Sequence, residues 1–161
     1  VIDIHASNAY LIEVPQIRIN EIFEDFLLEP ARHLNVDFIW IHKDNTILKS
    51  TLGYCLNKRN VPSLVIEMGI GSRLTYSYGN QIVEGILNCM AYLKMIDKKP
   101  VLYSSKTGYD KEVRFLNAKH AGLFITDKKV NTKIHKGERI GQIVDPLQGI
   151  VLSDVISQWV F

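Results

Sequence analysis

Two apolar runs, Val36 to Ile41 and Val61 to Glu67, alternate with segments whose apolar residues recur at helical spacing, and this alternation restricts the chain to helices packed on a mainly parallel sheet. The second run is the more telling. Val61-Pro62 is extended by geometry, and Leu64-Val65-Ile66 is an unbroken apolar stretch suited to a strand buried on both faces. Val1 to His5 reads as a further short strand that delivers side chains to its carboxyl end. Tyr10 to Ile19 is loop or strand, because Pro15 forbids a helix interior there. Asn20 has the chemistry of an N-cap for a helix from Glu21 to Glu29, with Ile22, Phe23, Phe26 and Leu27 on one face and Pro30 as the stop. Asn45 caps a second helical pattern through Ile47, Leu48, Thr51, Leu52, Cys55 and Leu56. After a glycine-rich turn at Gly69 to Ser72, the strongest helical signal runs from about Asn80 to Ile96, with Ile82, Val83, Ile86, Leu87, Met90 and Leu93 on one broad face.

Past Pro100 the pattern changes to short β-branched segments separated by turn signals: Val101 to Ser104, Ala121 to Thr126, Arg139 to Val144 and Gly149 to Leu152. The expected organisation is an α/β region over residues 1–100 and a small β-rich module over residues 101–161. The 161 residues suffice for a real hydrophobic core, and 47% hydrophobic with 22% charged residues is ordinary globular composition, which excludes disorder. No apolar run is long enough to span a bilayer, and a formal net charge of +2 does not call for nucleic acid or a membrane as partner. Cys55 and Cys89 each fall inside an apolar helical pattern, so both are expected as buried free thiols, which places the chain in a reducing, cytoplasmic setting.

Few side chains stand where chemistry is done. Asp3-Ile4-His5 puts a carboxylate and an imidazole two apart on a strand, hence on one face, where the acid can orient the ring. A structural or surface histidine reads the same way. Glu67 ends an apolar strand and is followed at once by Met68-Gly69-Ile70-Gly71, so it is either a general base at a strand end or a solvated edge glutamate. Asn8 binds substrate or caps a turn; Arg18, Arg59 and Arg73 grip a substrate carboxylate or stay on the surface; Tyr76 and Tyr78 hydrogen-bond substrate or pack. His33, His42, His120 and His135 form no evident set of metal ligands, and His33 and His135 read as solvated. Gly69-Ile70-Gly71 matches neither the dinucleotide fingerprint nor the P-loop, and no serine lies in a nucleophile elbow.

Taken in order, Val1-Ile2-Asp3-Ile4-His5, then Val61 to Gly69, then a long helix and a module with Ala121-Gly122-Leu123-Phe124 and Lys136-Gly137-Glu138-Arg139-Ile140-Gly141 resemble the aspartoacylase and succinylglutamate desuccinylase family, relatives of the zinc carboxypeptidases. The resemblance runs across nearly the whole chain. It implies part of a zinc-carboxypeptidase-like α/β fold, with an upstream His-x-x-Glu pair joining a later histidine to bind one Zn²⁺. His5 matches that histidine, and Glu67 matches the glutamate that transfers protons. The implied activity is hydrolysis of the amide bond of an N-acyl amino acid or small peptide-like substrate, with Asn8, Arg18, Arg73 and Tyr76 as substrate-binding candidates.

The family's upstream half is missing, since no His-x-x-Glu precedes His5. The expectation is therefore a C-terminal fragment of a longer enzyme that is inactive by itself and able to self-associate through an uncovered sheet edge. A carrier role for the β-rich module is rejected, because Lys128-Lys129 lacks the usual methionine neighbour of a modified lysine. The reading from a different class is a non-catalytic binding or assembly module on a degenerate hydrolase fold.

Overall fold

The computed structural model describes residues 1–6, 8–44 and 49–160. The isoleucines at alternate positions of the strands build its core. Ile17 and Ile19 on β2 (Glu13–Asn20), Ile39 and Ile41 on β3 (Phe38–His42), and Leu64 and Ile66 on β4 (Leu64–Gly69) are all nearly or fully buried on one face of a sheet. That sheet has five strands in the order β1-β4-β2-β3-β5, with β1 at Ile2–His5 and β5 at Lys106–Tyr109. β1 runs parallel to β4, β2 to β3 and β3 to β5, whereas β2 and β4 are antiparallel, so the sheet is mixed but mainly parallel as the alternation predicts.

Helices α1 (Glu24–Arg32) and α3 (Tyr76–Tyr92) cover the isoleucine face, with Leu27 and Ala31 from the first and Ile82 and Cys89 from the second joining the core. Each fully buried leucine or isoleucine side chain here contributes about 1.5–3 kcal/mol relative to exposure. Asn20 is a cap, as expected: its side chain accepts from the Ile22 amide at the start of a 3-10 turn, Glu21–Phe23, that leads into α1. Pro30 does not stop the helix. α1 continues to Arg32, because so near the end a proline forfeits a single backbone bond. Pro15 is tolerated inside β2 at a register irregularity between Glu13 and Gln16, and its carbonyl accepts from the Asp37 amide at 2.8 Å.

The face of α3 differs from its sequence expectation. Val83, Leu87 and Leu93 are exposed, while Ile82, Gly85, Asn88 and Cys89 are buried. The reason is Gly85: a Cβ there would stand 2.3 Å from the Asn35 backbone nitrogen, so the helix rolls its glycine against the chain between α1 and β3. Gly85→Ala is expected to destabilise the fold by about 1–3 kcal/mol despite alanine's better helix propensity, read as a fall in the urea midpoint. The second helix, α2, is Leu52–Asn57, capped by the Thr51 side chain; Asn45 as a cap, with Ile47 and Leu48, lies outside the described residues. Cys89 is buried and Cys55 half-buried, both as free thiols.

Val101 to Ser104 forms no strand. The next strand is β5, which joins the large sheet beside β3, and the two compact units accordingly divide between Val113 and Arg114, later than the change in composition at Pro100 suggests. The second unit is a three-stranded antiparallel sheet of β6 (Leu123–Ile125), β7 (Arg139–Val144) and β8 (Val151–Ile156) in sequence order. Among the described residues, no helix is long and apolar enough to cross a membrane.

Candidate active site

Opposite the isoleucine face, the same strands present polar side chains. His5 is the register partner of Glu67 across the parallel β1–β4 pair, and Asp3 the partner of Val65, so the imidazole and both carboxylates leave the sheet on one side. Gln16 lies beside Glu67 and Arg18 beside Val65 on β2, and Trp40 beside Arg18 on β3, which extends the polar face across four strands. His5 and Glu67, separated by most of the first unit in sequence, thus meet because their two strands run parallel and in register.

Asp3 holds the imidazole: its Oδ2 lies 3.0 Å from His5 Nε2, leaving Nδ1 as the other ring nitrogen. That hydrogen bond raises the His5 pKa above its ordinary value, against the opposing effect of partial burial. Its sign is clear: the stabilisation is present at low pH and is lost as pH rises through the raised folded-state value. Glu67 is mostly covered, with 16% of its side chain exposed, and burial pushes its carboxyl pKa up, while the Arg18 guanidinium, 3.9 Å from Oε1, pulls the other way. Glu13 and Asp3 add to the upward shift and His5 opposes it.

The remaining candidates separate into two groups. Arg18 joins the polar face and is already ion-paired to Glu13 and Glu67. Asn8 and Arg73 belong to the loops beyond the strand ends, and Tyr76 opens α3. The Asn8 carbonyl accepts from the Gly71 amide at 3.0 Å, tying the loop after β1 to the turn after β4, and its side chain accepts from the amides of Tyr10 and Leu11. Arg73 and Tyr76 are exposed just after that turn, in which Gly69 at φ +69° and Ser72 at φ +64° take left-handed backbone. Arg59 donates to the Cys55 carbonyl at 3.2 Å on α2. His33 is buried rather than solvated, stacked on Tyr92 at 4.0 Å with Nδ1 2.9 Å from the Val101 carbonyl. The polar cluster of Glu13, Gln16 and Trp40 around Arg18 escapes sequence reasoning, and the signal that points to it is the alternation of Glu13, Gln16 and Arg18 with buried isoleucines across a bulge.

The donor set can be weighed against zinc. A single imidazole backed by a carboxylate is the usual form of a metal-ligating histidine. Zinc sites need at least three protein ligands, and among the described residues no group of three or more His, Cys, Asp or Glu is placed to hold a metal. His5 fits one position of such a site, and the described residues do not complete it. A His-x-x-Glu pattern does occur downstream, at His135-Lys136-Gly137-Glu138, but its glutamate serves a turn: Oε2 accepts from the His135 amide at 2.9 Å and Oε1 pairs with Lys128 Nζ at 2.6 Å.

No family model matches the sequence, and no curated protein matches it. Solved structures do. A succinylglutamate desuccinylase/aspartoacylase from Rhodobacter sphaeroides superposes with a TM-score of 0.79 at 18% identity, over 99% of this chain and 50% of that one. A succinylglutamate desuccinylase from a Silicibacter species gives a TM-score of 0.83 at 14% identity, again over 99% of this chain and 50% of its own. The product-bound ectoine utilization protein EutE (DoeB) from Ruegeria pomeroyi gives 0.79 at 12% identity, with the same coverage. The chain thus spans about half the length of the structures it matches, and over that span it has the fold of the succinylglutamate desuccinylase/aspartoacylase structures.

Proposed function

We propose that the chain is part of a zinc-dependent hydrolase that cleaves the amide bond of an N-acyl amino acid or small peptide-like substrate, with Glu67 as general base and His5 as one metal ligand. The observation that carries this reading is the register pairing of His5 with Glu67 on adjacent parallel strands, in a fold shared with structures described as desuccinylases and aspartoacylases. A bound Zn²⁺ supplies a water of lowered pKa and polarises the scissile carbonyl.

The chain's own groups then have defined tasks. Asp3 fixes the His5 ring, and Glu67, whose carboxyl is raised by burial, takes a proton from water and returns it to the leaving amine. A raised carboxyl lies nearer the operating pH, which suits an acid that must both accept and give. Asn8 and Arg73, on the loops beyond the strand ends, and Tyr76, at the start of α3, are the residues assigned to substrate.

The metal provides the test. A protein that contains this chain and the complementary half should carry about one Zn²⁺ and lose hydrolysis on chelation, whereas full activity after exhaustive chelation would refute the reading. Supplying one ligand of the set, the 161-residue chain alone is expected to bind Zn²⁺ more weakly than about micromolar in titration calorimetry, and tight stoichiometric binding would mean that it holds further ligands. A second reading, a binding or assembly module on a degenerate hydrolase fold, is favoured by the incomplete ligand set. It requires that the longer protein bind no zinc at all.

A further inference from the structure

Arg18 stands where three strands meet, and its guanidinium has a neighbour on each of them. Nη2 donates to Glu13 Oε1 across the bulge of β2, Nη1 lies 3.9 Å from Glu67 Oε1 on β4, and the guanidinium carbon is 5.5 Å from the centre of the Trp40 ring on β3. Glu13 is itself fixed, because Gln16 Nε2 donates to the same Oε1 at 2.9 Å and only 10% of the Glu13 side chain is exposed. A long side chain held in this way has little rotamer freedom left to lose, which is the condition for orienting a neighbour.

The charges around Glu67 show what the arrangement does. From β1 it faces Asp3 and His5; from β2 it faces Glu13 and Arg18. Two of those groups are carboxylates that repel it. Arg18 is the permanently charged cation among them, and it pulls Oε1 toward the centre of the sheet. We infer that Arg18 is a positioning residue: the clamp of Glu13, Gln16 and Trp40 aims its guanidinium so that the Glu67 carboxylate is held in one orientation on the His5 face of the sheet. This rests on the reading of Glu67 as the general base, and it assigns Arg18 to the base rather than to the substrate.

The test is a rotamer measurement on the isotope-labelled 161-residue chain, using three-bond couplings that report Glu67 χ1. In the wild-type chain the couplings should be those of one staggered rotamer. In Arg18→Met they should collapse to averaged values, with the methyl shifts of Ile17 and Ile66 showing that the sheet is intact. Arg18→Lys, which keeps the charge without the fork, should restore one predominant rotamer only in part, and Glu13→Gln, which loosens the clamp, should move the couplings toward averaging. A single unchanged Glu67 rotamer in folded Arg18→Met overturns the inference. If that variant does not fold, Glu13→Gln decides, and unchanged couplings there overturn it equally. No step of this readout requires turnover, so its failure is distinct from a finding that Glu67 is not the base.

Discussion

Glu67→Gln is expected to lower amide hydrolysis by the complete, zinc-loaded protein by about 10²–10⁴-fold, the range that one positioned acid–base group commonly contributes. Metal content should not change, because glutamine keeps the shape of the side chain and Glu67 is assigned no bond to the metal. The loss should fall on kcat, since proton transfer is made only in the transition state. Hydrolysis within twofold of wild type would remove Glu67 from the mechanism. The same variant has a stability signature of known sign. Burial raises the Glu67 carboxyl above its ordinary value, so the folded state holds that proton more tightly than the unfolded chain does. Whatever the carboxyl contributes to stability is therefore fully present below the ordinary glutamate range and is lost as pH rises through the raised folded value. Glutamine has no charge to desolvate, so the variant should gain on wild type at neutral pH, and the gain should vanish in acid. A larger gain at low pH than at neutral pH would contradict the electrostatics of the site.

Ile66→Ala should cost about 2–5 kcal/mol, the measured range for deleting a fully buried aliphatic side chain. Ile66 is fully buried next to Glu67 on β4, with its side chain on the opposite face and its register partners Ile4 and Ile17 on either side. Its loss leaves a cavity in the one layer that β1, β2 and β4 share. Urea denaturation followed by tryptophan fluorescence measures the cost, and Val83→Ala on the outer side of α3, where 58% of the valine is exposed, is the control. That control should change stability by less than about 0.5 kcal/mol. Comparable losses in the two variants would mean that the core has been misplaced.

The contrast between Ile66 and Val83 marks how far local pattern carries. Along a strand the period is two and the outcome is binary, so the run Leu64 to Ile66 reads as sheet and the structure has it there, whereas Tyr10 to Ile19 reads as loop or strand and becomes strand over Glu13–Asn20 by pairing with β3 and β4. Along α3 an apolar stripe could be drawn on either side of Ile82 and Ile86. Which side is buried depends on the contact of Gly85 with Asn35, and no residue within the helix announces it. β5 was missed for the same reason: Lys106-Thr107-Gly108-Tyr109 is a weak strand by composition and becomes one because the edge of β3 is there to pair with it.

The candidate site divides in the same way. Residue order and the strand period determined that Asp3 and His5 share a face and that Glu67 follows a buried apolar run, whereas the strand does not end at Glu67 as the sequence suggests but continues to Gly69, paired with Glu13 of β2. Only the tertiary structure decided that His5 and Glu67 are partners, because parallel register joins residues far apart in sequence and leaves no local trace. It also decided the place of Arg18. A lone arginine in a strand reads as a surface charge, and it is the meeting of β2, β3 and β4 that seats it between Glu13, Trp40 and Glu67.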